Sequence, residues 1–393
     1  MENKPTFKKR LLRVLSYLLV AALASGVTFG LTTIINTKSM SKLDYLKLVI
    51  DECFIDDYDE EAMEDAAASA MVDALGNPWS YYISASEYDS YMDNHANSYV
   101  GIGIVIVYTE EQEGFEVIRV EAGGGAEKAG IAPGDVITAV DGQSVKDLGV
   151  EQASLLVKGE AGTTVTVTVL RDGQTEELSV ERMHMEVVVA TGQMLEGNIG
   201  LVKIKNFNER CAQETITIVQ DLVEQGAEAL IFDVRFNPGG YKDEMVKVLD
   251  YLLPEGKLFW SVDYQGNEEI DRSDSKCLEL PMAVLINADS YSAAEFFAAA
   301  LQEYEWATVV GTPSTGKSHF QVAIPLNDGS AVNLSIGEYF TPNGVSLADQ
   351  GGLQPDVKVD LSEDAYLQLY YEQLPLEDDP QIAAAVEVLK SGK

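Results

Sequence analysis

Cysteine and histidine are both scarce in this chain, with three of each among its 393 residues. The cysteines, Cys53, Cys211 and Cys277, are widely spaced and odd in number. This pattern excludes a disulfide framework and gives none of the close Cys pairs typical of a zinc site. None of the histidines has a recognisable Ser-His-Asp triad context. We therefore expect no metal and no cofactor, and a nucleophilic mechanism would need a base other than histidine.

Basic residues are also few. The chain has 27 Lys and Arg against 64 Asp and Glu, a net charge of -37. Such a balance excludes the basic footprint of a nucleic-acid-binding protein and argues against an anionic membrane surface as partner. The acidic residues are spread along the chain, which indicates a strongly solvated surface rather than one acidic binding site.

The N-terminus departs from this acidity. Three basic residues, Lys8 to Arg10, precede an uncharged apolar stretch from Val14 to Ile35, and roughly 22 residues are enough to cross a bilayer. Residues 1–40 are predicted to be a basic cytoplasmic stub and a transmembrane signal anchor, with the rest of the chain outside the cell. A cleavable signal peptide, cut near Ala22 to Ala24, is the alternative.

Residues 41–97 are predicted to form an N-terminal helical segment. Apolar residues recur at helical spacing from Lys42 to about Leu75, and Gly76 to Pro78 form a helix stop and turn. The aromatic patch from Trp79 to Tyr82 then has no helical pattern of its own. We expect this patch to pack onto a neighbouring domain.

Residues 98–184 have the pattern of short strands and turns that is typical of a small, mostly β domain. A strand from Gly101 to Val107 is entered through glycines, and the segment from Ala126 to Gly142 carries an A-G-I-x-x-G-D-x-I-x-x-V-D-G pattern. This region resembles a PDZ domain. Glycines near an edge strand leave backbone N–H groups free for a peptide carboxylate, and the open edge accepts the peptide as an added strand. The peptide-binding candidates are Val100, Gly101, Ile102, Gly103 and Ile104.

Residues 185–375 alternate strands with helices, which predicts an α/β core with a mixed, largely parallel sheet. A C-terminal helix is expected over residues 376–393. Functional residues of such a sheet belong in loops at the carboxyl ends of its strands. Asn237 to Gly240 and Ser292 both follow predicted strands and are therefore candidates.

Ser292 and Lys317 together fit a serine nucleophile with a lysine base. Ser292 begins an Ala-rich helix, and Lys317 precedes a strand from Phe320 to Leu326. A lysine amine accepts the serine proton if burial keeps it neutral. Two alternatives stay open from the residues alone: Ser292 and Glu295 form a capping box, so Ser292 could serve only as a helix cap, and Ser290 could replace it as nucleophile.

A rival motif overlaps the lysine. Gly311 to Ser318 matches the phosphate-binding loop G-x-x-x-x-G-K-[ST] at every position. That loop functions only if a helix starts at its Lys-Ser and points its N-terminus at the phosphates. The following residues alternate as a strand and reach Pro325, so a nucleotide-binding protein is the less favoured alternative.

From about Leu43 onward the chain resembles the carboxy-terminal processing, or tail-specific, serine proteases, which carry an inserted PDZ domain. The PDZ pattern, Asp233 to Gly240, the Ser292 block, Gly316-Lys317 and Gly352 to Asp356 occur in the family's order. The resemblance implies a crotonase-like protease core with Ser292 as nucleophile, Lys317 as base and Gln321 orienting the lysine. It further implies an oxyanion hole of backbone N–H groups, from Ala293 and from Gly239 or Gly240.

Five residues flanking the proposed dyad differ from the commoner family residues Asn, Ala, Ser, Phe and Gly: Phe236, Tyr291, Ala294, Thr315 and Ser318. None removes the dyad, but they leave the cleft shape open. The chain is predicted to be a membrane-anchored serine endopeptidase outside the cytoplasm that acts on polypeptides through their C-termini. A catalytically silent PDZ scaffold is the second alternative, and a homodimer is open as an alternative to a monomer.

Overall fold

The structure, a computed structural model, describes residues 40–111 and 113–391. Within these ranges no helix is long and apolar enough to cross a membrane. The predicted anchor from Val14 to Ile35 lies outside the described residues and stays a prediction. The chain forms two compact units that divide after Ala66.

The first unit contains helix α1 (Lys42–Cys53) and the start of helix α2 (Glu60–Asp73). Ser41 caps α1 by accepting the Asp44 N–H at 3.1 Å, and Lys47 pairs with Glu60 and Glu64. No residue of α1 is buried. The predicted helical character of this segment is confirmed, with a break between the two helices.

The second unit starts within α2 and continues with strand β1 (Tyr81–Ile83) and helix α3 (Ala85–His95). β1 pairs antiparallel with strand β18 (Ala331–Phe340), far along the chain, with Tyr81 opposite Asn333. The expectation that the Trp79 to Tyr82 patch packs onto another part of the chain is therefore confirmed. The patch becomes an edge of a core sheet.

The PDZ region folds as one antiparallel sheet with two short helices. Its sheet order is β3-β4-β5-β7-β8, with β6 paired to β5, and β3 is an open edge. The elements are β3 (Ile104–Thr109), β4 (Gly114–Val120), α4 (Gly125–Ala129), β5 (Val136–Val140), β6 (Gln143–Ser144), α5 (Val150–Val157), β7 (Thr164–Arg171) and β8 (Gln174–Glu181). Alternate valines of β7 are buried in its core, as the sequence pattern predicts.

The predicted single strand from Gly101 to Val107 is wrong. The chain forms two strands, β2 (Ser98–Gly101) and β3, which belong to different sheets. β2 pairs with β9 (Met183–Glu186). The break falls at Ile102 and Gly103, where Gly103 has a φ of 79°, a left-handed conformation that a strand cannot contain.

The core contains the expected largely parallel sheet, in the order β10-β11-β12-β15-β16-β19. Among the described strand pairs of this sheet, only β10–β11 is antiparallel. The strands are β10 (Ala190–Leu195), β11 (Ile199–Ile204), β12 (Ala229–Asp233), β15 (Met282–Ile286), β16 (Ala307–Gly311) and β19 (Val357–Lys358). The inner strands β11, β12, β15 and β16 are almost wholly buried apolar runs, as is typical of parallel sheets.

Helices cover both faces of that sheet. One face packs on α6 (Cys211–Glu224), α7 (Lys242–Leu252) and α8 (Ala293–Glu303), the other on α10 (Pro380–Ser391). Strand β12 shows the alternation: Leu230 and Phe232 join the first cluster, whereas Ala229 and Ile231 join the second. α9 (Glu363–Tyr370) and a 3-10 turn (Leu376–Asp378) precede α10.

A second, antiparallel sheet was not anticipated. It contains β13 (Gly256–Asp263), β14 (Glu268–Ser273), β17 (His319–Pro325) and β18, with β1 at one end. The half-exposed strands of an antiparallel sheet give a weaker apolar pattern than the buried parallel strands. This sheet matters for function because β17 follows Lys317 and β18 packs beside α8.

Asp233 and Arg235, near the candidate loops, form a buried ion-pair network. Arg235 contacts both Asp233 oxygens, at 2.9 and 2.7 Å, and Asp379 at 2.9 Å. All three side chains are almost fully buried. The network links the end of β12 to the start of α10, which is a structural role.

Candidate active site

Ser292 lies at the N-terminus of α8 in a strained backbone conformation, with φ 59° and ψ -129°. Such a conformation costs a non-glycine residue about 1–3 kcal/mol and is typical of functional sites. Ser292 and Glu295 form the predicted capping box, in which the Ser292 N–H donates to the Glu295 carboxylate at 2.9 Å. The Ser292 hydroxyl is 2.6 Å from the hydroxyl of Tyr339 on β18.

Gly239 makes room for this serine. A Cβ atom at Gly239 would lie 2.7 Å from the Ser292 Cβ and 2.9 Å from the Ala293 nitrogen, and the φ of Gly239 is 90°. Both facts require glycine at this position. The glycine turn and the serine loop are therefore packed directly against each other.

Ser290, the alternative nucleophile, is fully buried. Its hydroxyl donates to the Val234 carbonyl at 2.8 Å and accepts the Asn287 N–H at 3.0 Å. These contacts hold the loop after β15 against the end of β12. The geometry gives Ser290 a structural role and leaves Ser292 as the candidate nucleophile.

Lys317 lies in the loop between β16 and β17, with its ammonium against two aromatic rings. Its Nζ is 4.7 Å from the ring centre of Trp79 and 5.8 Å from that of Tyr291. Burial lowers the pKa of Lys317 to about 8, and the nearby Glu295 opposes this shift. Among the hydrogen bonds of residues 40–111 and 113–391, none joins Lys317 Nζ to Ser292 Oγ.

Glu295 connects the serine loop with the lysine loop. Its carboxylate accepts the backbone N–H groups of Ser292 at 2.9 Å, Gly316 at 2.6 Å and Lys317 at 2.9 Å. It also accepts the Ser314 hydroxyl at 2.5 Å. Burial raises the pKa of Glu295, and the four donors counter that effect. One fully buried carboxylate thus fixes the backbone on both sides of the candidate dyad.

The same contacts exclude the phosphate-binding loop. Strand β17 begins at His319, directly after Ser318, so the helix that such a loop needs does not follow. The N–H groups of Gly316 and Lys317, which would face a phosphate, are already bound to Glu295. The structure therefore does not favour the nucleotide-binding alternative.

The three expected oxyanion donors differ in their present partners. The N–H of Gly239 donates to the Asn237 side-chain oxygen at 2.8 Å. The N–H groups of Gly240 and Ala293 donate to no acceptor among the residues that the structure describes. A free N–H at the start of a helix favours a developing negative charge. Gly240 and Ala293 are therefore the available pair.

Gln321 lies on β17 without a hydrogen bond to Lys317 in the described part of the chain. Its amide nitrogen donates to the His319 carbonyl at 2.8 Å and to the Ser335 hydroxyl at 3.0 Å. Ser335 in turn donates to Asn77 at 3.1 Å, and Asn77 accepts the Trp79 N–H at 3.0 Å. The structure thus connects Gln321 to Lys317 through the segment that carries Trp79.

Sequence reasoning missed several residues of this site. Glu295 was visible as part of a capping box, but its contacts with Gly316 and Lys317 had no sequence signal. Trp79 and Tyr339 come from distant parts of the chain, and only the antiparallel sheet brings them to Ser292 and Lys317. Tyr291 was visible only as a departure from the family pattern.

Another such departure, Phe236, precedes the glycine turn with a φ of 60°. Its ring contacts Tyr366 and Tyr370 of α9 at centroid distances of 5.2 and 5.5 Å. Its N–H donates to the Asn287 side chain at 3.0 Å. These contacts make α9 a neighbour of the turn that would form the oxyanion hole.

The PDZ region contains an apolar groove between β3 and α5, with a volume of about 70 Å³. Ile104 lines it, together with Ile106, Val145, Ala153 and Val157 among others. Val100 and Gly101 instead pair with β9, and the Ile102 side chain is buried in the domain core. The N–H groups of Ile102 and Gly103 donate to no backbone acceptor among the described residues. These two N–H groups directly precede Ile104, which lines the groove.

Comparison with protein families gives two matches. Residues 198–359 match the model of peptidase family S41, and residues 100–181 match that of the PDZ domain. The chain is 32% identical to the carboxy-terminal processing protease CtpA of Bacillus subtilis (strain 168), over 92% of this chain and 79% of that protein. It is 28% identical to a probable CtpA-like serine protease of Staphylococcus haemolyticus (strain JCSC1435), over 88% and 72%.

Among solved structures, a putative S41 protease from Bacteroides fragilis NCTC 9343 is similar, with a TM-score of 0.54 and 16% identity. The match covers 83% of this chain and 90% of that one. At this identity the likeness concerns the fold alone.

Replacing Glu295 by Gln should lower the free energy of unfolding by about 2–4 kcal/mol. The glutamine amide keeps one accepting oxygen, but its NH₂ group faces N–H and O–H donors that now bind the second carboxylate oxygen. Each buried donor left without an acceptor costs about 1–3 kcal/mol. Urea unfolding followed by tryptophan fluorescence measures the loss.

Glu303→Gln is the matched control for this change. Glu303 lies on the same helix and accepts two hydrogen bonds, from Thr341 at 2.6 Å and Asn343 at 2.8 Å, but it is only partly buried. We expect a loss of about 1 kcal/mol or less there. Equal effects in the two variants would contradict the special role of Glu295.

Proposed function

The chain belongs to peptidase family S41, the carboxy-terminal processing serine proteases, and we propose that Ser292 is its nucleophile and Lys317 its general base. As a member of this family with a PDZ domain, it is a serine-type peptidase. The observation that carries the proposal is the Glu295 carboxylate, which binds the backbone of Ser292 and of Lys317 at once. Burial of Lys317 and the strained backbone of Ser292 support the same roles.

In the first step, the Lys317 amine takes the proton of the Ser292 hydroxyl as Oγ attacks the scissile carbonyl carbon. The resulting oxyanion accepts the N–H groups of Ala293 and Gly240, and one such donor contributes roughly 3 kcal/mol. The Lys317 ammonium then gives its proton to the leaving amine as the C–N bond breaks. Water, deprotonated by Lys317, hydrolyses the acyl-enzyme and releases the new C-terminus.

This sequence requires two local movements. The Ser292 hydroxyl leaves its hydrogen bond with Tyr339, and Lys317 Nζ moves from the Trp79 ring toward Ser292. Catalytic hydrogen bonds are often long in a ligand-free site and tighten when substrate binds. Gln321 supports the lysine through Ser335 and Asn77 in the present arrangement.

The PDZ domain is proposed to bind the free C-terminus of the polypeptide substrate. The N–H groups of Ile102 and Gly103 would take the carboxylate, and the edge strand β3 would pair with the peptide. Ile104 and its apolar neighbours in the groove favour a hydrophobic last residue. A scaffold without catalysis would need neither a strained serine nor a buried lysine, so this alternative has less support.

The place of action is proposed to be outside the cytoplasm, with the chain anchored by the apolar stretch from Val14 to Ile35. This part of the proposal rests on the sequence alone.

Ser292→Ala and Lys317→Ala should each reduce proteolysis of an unfolded protein such as casein to near background, with the fold retained by circular dichroism. The double variant should be no worse than either single one, because parts of one catalytic unit are not additive. A single variant that kept roughly a tenth or more of wild-type turnover would refute the dyad. Ser290→Ala is the matched control, and a folded form of it should remain active.

Amidating the C-terminus of a cleaved peptide should lower turnover several-fold, because the amide removes the negative charge that the N–H groups of Ile102 and Gly103 would bind. Cleavage followed by mass spectrometry measures the ratio of acid to amide. Acetylating the N-terminus of the same peptide is the control and should have no comparable effect. Equal cleavage of the acid and the amide would make the PDZ domain a scaffold in this chain.

A further inference from the structure

In residues 40–111 and 113–391, the Lys317 side chain contacts aromatic rings and its Nζ has no hydrogen-bond partner. Its Nζ lies 4.7 Å from the centre of the Trp79 ring and 5.8 Å from that of Tyr291, within the range of a cation–π contact. The two rings stack on each other, with centroids 5.8 Å apart and planes 29° from parallel. They form one aromatic surface, here called the Trp79–Tyr291 clamp.

Hydrogen bonds hold the backbone of both clamp residues. The Trp79 N–H donates to Asn77 at 3.0 Å, and its carbonyl accepts the Asn333 side chain at 3.3 Å. The Tyr291 N–H donates to the Asn237 carbonyl at 3.1 Å, beside the glycine turn. The backbone that carries the two rings is therefore tied to β18 and to the glycine turn.

The proposed nucleophile is also engaged elsewhere, because the Ser292 hydroxyl is bound to Tyr339. Both members of the proposed dyad thus have other partners in the ligand-free chain. The charged group that faces Lys317 is Glu295 of α8, whose carboxylate binds the Lys317 backbone. The titratable phenol of Tyr291, preceding α8, completes its surroundings.

We propose, building on the dyad assignment, that Trp79 and Tyr291 are positioning residues that hold Lys317 in its protonated form, away from Ser292, until substrate binds. The rings attract the ammonium and have no comparable attraction for the neutral amine. The reactive amine is consequently less populated at neutral pH than burial alone would make it.

The direction in which the Lys317 pKa changes when a ring is removed follows from the clamp's preference for the ammonium. The clamp favours the charged lysine, so removing a ring lowers the pKa of Lys317 and raises the fraction of amine at a given pH. Trp79→Leu keeps an apolar side chain, smaller than the indole, and removes the π face. The acidic limb of kcat/KM, expected near pH 8 in the wild type, should move about one pH unit lower. At pH 7 kcat/KM should rise roughly five-fold.

Trp79→Phe keeps an aromatic face and should return the limb close to its wild-type position. Tyr291→Leu should move it in the same direction as Trp79→Leu. Trp260→Leu is the matched control, because Lys257 lies 5.5 Å over the Trp260 ring in a comparable pair outside the site. That variant should leave the acidic limb in place. If the acidic limb of the pH profile of kcat/KM is unchanged or moves to higher pH in Trp79→Leu, the proposed clamp is wrong.

A direct titration keeps the test independent of turnover. The ¹³Cε shift of Lys317, followed by NMR in a Ser292→Ala background with and without Trp79→Leu, should titrate about one pH unit lower without the ring. An unshifted titration refutes the clamp even if a variant loses activity through misfolding. If Lys317→Ala remains proteolytic, the dyad itself fails. If Lys317→Ala is inactive and the titration does not move, only the clamp fails.

Discussion

The buried carboxylate of Glu295 is the contact on which the candidate site depends. Burying a carboxylate is costly unless hydrogen bonds replace its hydration, and Glu295 accepts four. Three of the donors are backbone N–H groups of Ser292, Gly316 and Lys317. The sequence context of Glu295 indicates only a helix cap. In the structure, Glu295 sets the distance between the helix that bears Ser292 and the loop that bears Lys317.

Two sheets of different kinds supply the parts of this site. The parallel sheet delivers the glycine turn after β12, the serine loop after β15 and the lysine loop after β16, all at carboxyl ends of strands. The antiparallel sheet contributes Tyr339 from β18 and places the Trp79 segment beside it through β1. The Trp79 segment and the lysine loop meet here and bury Lys317, and this burial lowers its pKa.

Much of this arrangement follows from local sequence patterns. Buried strands such as Met282–Ile286 and amphipathic helices such as Lys242–Leu252 fit the alternation predicted for residues 185–375, because continuous apolar runs and helical periodicity are local signals. Ser292 was found because it follows a predicted strand, and Lys317 because it precedes one and can serve as the base for a serine. Trp79 and Tyr339 could not be found in this way, since their contacts depend on strand pairing between distant segments. The break at Gly103 was missed because an apolar run does not reveal a positive φ.

The central claim is that Ser292 is an activated nucleophile and that Lys317 activates it. Labelling of the purified chain with a serine-reactive phosphonate, followed by peptide mapping, tests this claim most directly. The account predicts a covalent adduct on Ser292, formed at least about 100-fold more slowly in Lys317→Ala, since general-base assistance typically contributes 10²–10⁴-fold. An adduct on Ser290, or an unchanged labelling rate in Lys317→Ala, would contradict it.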